Sequence, residues 1–112
     1  MIRIYRFVFL FLVLFISYAA VIPLEDGTSV PYIDKLLHFF TFLLLTLFMD
    51  LSIRKPLPSN KAALIFLILY AFLIELVQYF LPYRSAEVFD FISDLLGILV
   101  YLYFAPKIKY KA

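Results

Sequence analysis

The chain has 112 residues, of which 66% are hydrophobic and 16% charged. Soluble domains run at about 45–50% apolar and 25% charged, and a chain this short has too much surface to hide the surplus. An ordinary soluble domain is therefore excluded, and the excess must face lipid. The absence of cysteine excludes disulfides and thiolate chemistry, and the single histidine, His38, excludes a multi-histidine metal site within one subunit. The net charge is only +2. No basic block is interleaved with aromatics on a polar surface, so no nucleic acid is expected as a partner.

Four apolar runs follow one another, each about long enough to cross a bilayer core. Each is read as a helix, because an open chain in lipid satisfies its backbone only that way. The predicted fold is all-α: a four-helix transmembrane bundle, one integral membrane domain over residues 1–112, with helices at about 5–24, 34–53, 61–81 and 86–105. The first run, Phe7 to Leu24, follows Arg3 and Arg6. Ser17-Tyr18-Ala19 also fits the small-x-small pattern of a signal cleavage site, but the run continues through Val21, Ile22 and Leu24, so retention as a membrane helix is expected. A polar turn cluster, Glu25 to Pro31, leads into the second run, from near Leu36 to Ile53. Pro56 and Pro58 break the next connection, and Ser59 or Asn60 is placed to cap the third helix. That helix stops at Pro82. Ser85 is the natural N-cap of the fourth, with Glu87 in its first turn. The last loop is so short that helices three and four must be antiparallel neighbours.

Lysine and arginine set the orientation. Arg3, Arg6, Arg54, Lys55, Lys61, Lys107, Lys109 and Lys111 fall on one side, and only Lys35 and Arg84 on the other. Both termini are therefore expected in the cytoplasm.

An ionisable group in hydrocarbon costs about 2.5–3.5 kcal/mol on insertion scales, so each needs a reason. Asp34, His38, Glu75, Asp90 and Asp94 all fall in or at the mouth of the non-cytoplasmic half. Asp34 and His38 are i,i+4 neighbours, as are Asp90 and Asp94, and Glu75 is three residues before Gln78. Gly97 and Tyr101 continue the Asp90/Asp94 stripe, and the glycine lets a neighbouring helix approach closely. Lys35 and Arg84 sit at the mouth, able to pair with the acids or attract an anion. The expected product is a polar, outward-opening pocket walled by phenylalanine and leucine.

At these residues the chain resembles a known family. Asp34-Lys35-x-x-His38-Phe39, Glu75-x-x-Gln78, Pro82-x-Arg84 and Asp90-x-x-x-Asp94-x-x-Gly97 look like the signature of VanZ-like proteins, bacterial membrane proteins named for one associated with teicoplanin resistance. The match runs from the second helix through the fourth. Asp94 departs from the pattern, which often has asparagine there, and adds negative charge to the pocket. The resemblance implies a cell-envelope role in the bacterial inner (cytoplasmic) membrane and supplies no reaction.

Each residue also has a plain structural reading. Asp34 can cap its helix while Lys35 snorkels to the headgroups. His38 is favoured as a buried hydrogen-bonding partner of Asp34 or Glu75 over a metal ligand. Gln78 can be interhelical glue. Asp50, four residues before Arg54, reads as a surface ion pair without function, and Phe7, Phe9, Phe11, Tyr101, Tyr103 and Phe104 read as lipid-facing surface and interfacial anchors.

Three functions stay open. In a binding module, the pocket takes the head of an envelope lipid or lipid-linked cell-wall precursor: Lys35 and Arg84 hold phosphate, and Asp34, Gln78, Asp90 and Asp94 complete the ligand contacts. In an enzyme at the same site, Glu75 is general acid or base with His38 as partner, and Arg84 stabilises developing charge. No cofactor is evident; Glu75, Asp90 and Asp94 offer oxygen ligands to a divalent cation such as Mg²⁺. In a structural protein, the polar layer only locks the bundle or meets a partner. Membrane-depth polar groups are functional by default, which favours the first two. The oligomeric state is not legible.

Overall fold

Twenty consecutive helical residues rise about 30 Å, the thickness of a bilayer core. The apolar runs fold into helices of that size: α1 (Ile2–Val21), α2 (Ile33–Ser52), α3 (Lys61–Phe80) and α4 (Val88–Ile108), with a short 3-10 turn at Leu57–Ser59. A computed structural model describes residues 2–22, 33–53, 57–82 and 88–108. The Ser85 cap, the Glu87 first-turn charge and the Arg54 partner of Asp50 lie outside these residues. Three of the helices, Ile2–Val21, Lys35–Ser52 within α2, and Lys61–Phe80, are long and apolar enough to cross a membrane.

Helix ends differ modestly from expectation. α1 starts at Ile2, and α4 runs through Pro106 to Ile108. A proline in a last turn removes one backbone bond where few remain to be lost. Asn60 caps α3 by accepting the Ala63 N–H at 3.1 Å, and the chain leaves that helix through an extended Leu81 before Pro82. Polar side chains in mid-helix mostly satisfy themselves: Thr46 donates to the Phe42 carbonyl, Ser52 to Phe48 and Ser93 to Phe89.

Residue pairs fix the direction of each helix. Arg6 meets Ser52, the last residue of α2, while Ala19 and Ala20 at the far end of α1 share a groove with Leu37 and His38, so α1 and α2 are antiparallel. Val13 and Ala20 meet Tyr70 and Gln78 in the same order, so α1 and α3 are parallel. Lys35 and His38 meet Asp90 and Asp94 in the same order, so α2 and α4 are parallel. The four helices run up, down, up, down.

α2 and α4 form the tightest pair because Gly97 lies at their crossing. A Cβ on Gly97 would collide with the Phe39 carbonyl oxygen and stand 3.0 Å from the Leu43 nitrogen. The core is a column of Phe42, Leu45, Met49, Leu57, Leu67, Ala71, Ile74 and Ile98. Phe7, Phe11, Tyr103 and Phe104 point outward, as expected of lipid-facing aromatics, whereas Phe9 packs half-buried against the core.

Two readings are corrected at the Arg6 end. Asp50 is fully buried, not at the surface: its carboxylate accepts the Leu57 N–H at 3.1 Å and the Tyr101 hydroxyl at 2.6 Å. Tyr101 is accordingly half-buried and tied to Asp50, not a lipid-facing anchor. The 3-10 turn folds back over the end of α2 and needs a buried acceptor, which an arginine four residues along does not supply.

Candidate functional site

The opposite end of the bundle gathers Lys35, His38, Glu75, Asp90 and Asp94. α2 presents Lys35 and His38 three residues apart, and α4 presents Asp90 and Asp94 four apart; each spacing is about one helical turn, so the two stripes face each other rung for rung. His38 Nδ1 lies 2.9 Å from Asp94 Oδ1. With the carboxylate ionised, only the Nδ1–H can donate in that bond. His38 Nε2 stands 3.8 Å from Asp90 Oδ2, and Lys35 Nζ is 3.4 Å from Asp90 Oδ1. Asp94 has no solvent exposure and Asp90 almost none, whereas Lys35 and His38 keep about a fifth of their side-chain surface open. Lys35 and His38 therefore form the mouth and the acids the floor.

α3 closes the third side. Glu75 is buried on the inward face of α3 with Ala71, Ile74 and Gln78. One ligand atom from each of His38, Glu75 and Asp94 lies within 4.8 Å of the others. Gln78 donates its amide to the Ala20 carbonyl at 3.1 Å, which fastens the end of α1 to the layer. Its own Oε1 is buried and has no hydrogen-bond donor among the described residues, and the same holds for Asp94 Oδ2.

Beside this layer an apolar groove of about 280 Å³ opens between α1, α2 and α3. Phe15, Ile16, Leu37, Phe42 and Ile74 give it an apolar wall, while His38 and Gln78 bring it into contact with the polar cluster. The arrangement offers an apolar slot with hydrogen-bonding and charged groups at one edge.

The candidate residues are thus distributed as follows. Lys35, His38, Glu75, Gln78, Asp90 and Asp94 share one end of the bundle. Arg84 and the Asp34 side chain lie outside the described residues. Among the described residues the hydrogen-bond partner of His38 is Asp94 on α4. The three-ligand group contains His38 in place of Asp90, which turns toward Lys35. Sequence reasoning missed the groove and Tyr70, whose hydroxyl donates to the Val13 carbonyl at 2.9 Å and meets Ser17 Oγ at 2.7 Å. An isolated tyrosine in an otherwise apolar α3 stretch was the available signal, since a buried phenol needs a partner.

Comparison with known proteins places the chain in a family. The sequence profile of the VanZ/LLP1 family matches residues 2–109, which extends the likeness over α1. An uncharacterized protein of Schizosaccharomyces pombe is 37% identical over 92 residues, covering 79% of this chain and 55% of that relative. The chain thus spans about half the length of this curated relative. No solved structure matches. With nearly its whole length inside the family profile, the chain belongs to the VanZ-like family of membrane proteins.

Proposed function

We propose that this protein binds the head of an amphiphile at the His38–Asp94 layer while the ligand's chain lies in the groove between α1, α2 and α3. One observation carries the reading: an apolar slot of about 280 Å³ shares His38 and Gln78 with a buried charged cluster. Binding sites for small molecules combine apolar walls with a few convergent polar groups in this way. The ligand is an envelope lipid or lipid-linked cell-wall precursor taken from the outer leaflet of a bacterial cytoplasmic membrane, with both termini in the cytoplasm. Lys35 and Arg84 hold its phosphate, and Asp34, Gln78 and Asp90 accept hydrogen bonds from its polar groups. Sequestering or processing such a lipid is the route by which the protein contributes to glycopeptide (teicoplanin) resistance.

Lipids retained by the purified protein, identified by mass spectrometry beside Arg84→Ala and Glu75→Gln, test this. Arg84→Ala is expected to retain several-fold less phosphorylated lipid. If Glu75 acts as general acid or base, Glu75→Gln keeps the lipid and abolishes any turnover of it. A second reading is favoured by the direct pairing of Lys35 with Asp90 and His38 with Asp94: the layer only locks the bundle. That reading prevails if Arg84→Ala and Glu75→Gln both leave lipid retention and glycopeptide sensitivity unchanged.

A further inference from the structure

The His38–Asp94 distance is ordinary for a hydrogen bond and also fits two ligands of one metal ion. Two adjacent ligands on an octahedral ion with bonds of about 2.1 Å stand about 3 Å apart, and His38 Nδ1 and Asp94 Oδ1 are 2.9 Å apart. Glu75 on α3 supplies a third donor: one ligand atom from each of His38, Glu75 and Asp94 lies within 4.8 Å of the others. Three helices thus aim one nitrogen and two carboxylates at a common point in the bundle interior.

Asp94 adds an independent observation. Its side chain has no exposure, yet Oδ2 has no donor among the described residues. A buried carboxylate oxygen without a donor costs about 1–3 kcal/mol or more. Gln78 Oε1, also buried, repeats the pattern on the wall shared with His38. Both are acceptors, and no orphaned side-chain donor accompanies them among the described residues, so the place is short of a donor or a positive charge, and a cation supplies the latter.

We propose that His38, Glu75 and Asp94 bind a divalent first-row transition ion, Zn²⁺ or Mn²⁺. Imidazole nitrogen beside carboxylate oxygen suits these ions, whereas Mg²⁺ favours oxygen alone. Asp90, 3.8 Å from His38 Nε2 and paired with Lys35, orients the ring from outside the ligand set. Three protein ligands leave coordination positions over, and the groove lined by His38 gives a water or a phosphate oxygen a path to them. The ion site stands whether or not a lipid occupies the groove.

The full chain in detergent, stripped with chelator and reloaded separately with Zn²⁺ and Mn²⁺, is the test. Elemental analysis after desalting is expected to give about one ion per chain. Glu75→Gln and Asp94→Asn are expected to weaken binding at least about 10-fold, while Asp50→Asn at the other end of the bundle leaves it unchanged. On the unaltered protein, bound Mn²⁺ is expected to show nitrogen hyperfine coupling by electron paramagnetic resonance. The proposal is overturned if the wild-type chain retains neither ion, if retained Mn²⁺ shows no nitrogen coupling, or if both ligand variants hold metal like wild type. Lipid retention measured on the same preparations separates the outcomes: lipid held by a chain that takes up neither ion on reloading sinks only the ion site, and metal taken up by a chain that holds no lipid sinks only the lipid reading.

Discussion

Asp50 accepts the Tyr101 hydroxyl at 2.6 Å while holding the Leu57 N–H at 3.1 Å, so one carboxylate joins α2, the 3-10 turn and α4. The group is fully buried, and its removal strands a backbone donor and a phenol. Asp50→Ala is expected to cost about 3 kcal/mol or more, because each buried donor left unmet costs about 1–3 kcal/mol. Tyr101→Phe strands nothing new on the Leu57 side and is expected to cost about 1 kcal/mol. Unfolding in detergent measures both. Equal stability of Asp50→Ala and wild type would show that water replaces the carboxylate.

Gly97 is the spacer that lets α2 and α4 touch. The Cβ of Gly97→Ala meets the Phe39 carbonyl oxygen and the Leu43 nitrogen, backbone atoms that cannot swing aside. The helices must part, and His38 and Asp94, one turn away, part with them. A loss of about 1–3 kcal/mol is expected, together with weaker lipid retention. Gly97→Leu should be worse. A Gly97→Ala protein of unchanged stability and retention would mean that the crossing is looser than this packing implies.

How much of this was legible beforehand depends on what each residue's role rests on. The stripes Lys35/His38 and Asp90/Asp94 could be read because an intramembrane charge is costly and a one-turn spacing fixes the face. Gly97 could be read for the same reason: it continues a stripe. The pairing of His38 with Asp94 could not, since it depends on the relative register of α2 and α4, which the close approach at Gly97 and the Tyr101–Asp50 bond help to set. Asp50 was misread because its partners are a backbone N–H seven residues on and a tyrosine on another helix, and neither leaves a spacing signal. The groove escaped notice because Phe15, Leu37 and Ile74 are indistinguishable in sequence from residues that pack tightly.

His38 and Asp94 form a pair that can be dissected by a double-mutant cycle. His38→Leu leaves a fully buried carboxylate without its partner and is expected to destabilise by about 3–5 kcal/mol. Replacing both, His38→Leu with Asp94→Leu, removes the charges together and is expected to recover most of that loss. The double variant also separates function from structure. If the layer is only a lock, the repacked protein keeps its lipid; if it is a binding site, the protein folds and the lipid is gone.

Orientation is testable because the chain has no native cysteine to interfere. Single cysteines at Ser29, Ser59 and Ser85, probed with a membrane-impermeant thiol reagent on intact cells, are expected to react at Ser29 and Ser85 only. The lysine and arginine distribution predicts that pattern, and the up-down-up-down helix order requires Ser29 and Ser85 to share a side if every helix crosses. Labelling at Ser59 alone would invert the protein and put the His38–Asp94 layer toward the cytoplasm.

α1 has one buried residue, Ala20, yet three polar ties hold it along its length. Arg6 donates to the Ser52 carbonyl at 2.9 Å, placing a cation at the C-terminal end of α2 where the helix dipole favours it. Tyr70 ties Val13 and Ser17, and Gln78 ties Ala20. Cleavage after Ala19 would remove the first two anchors and leave Tyr70 with a bare hydroxyl in an apolar setting. An amino-terminal epitope tag is therefore expected to stay on the full-length membrane protein. Tyr70→Phe, which deletes the middle tie, is expected to cost about 1–2 kcal/mol and to make α1 easier to release by protease. Recovery of a mature chain beginning near Ala20, with lipid retention intact, would show that α2, α3 and α4 alone make the site.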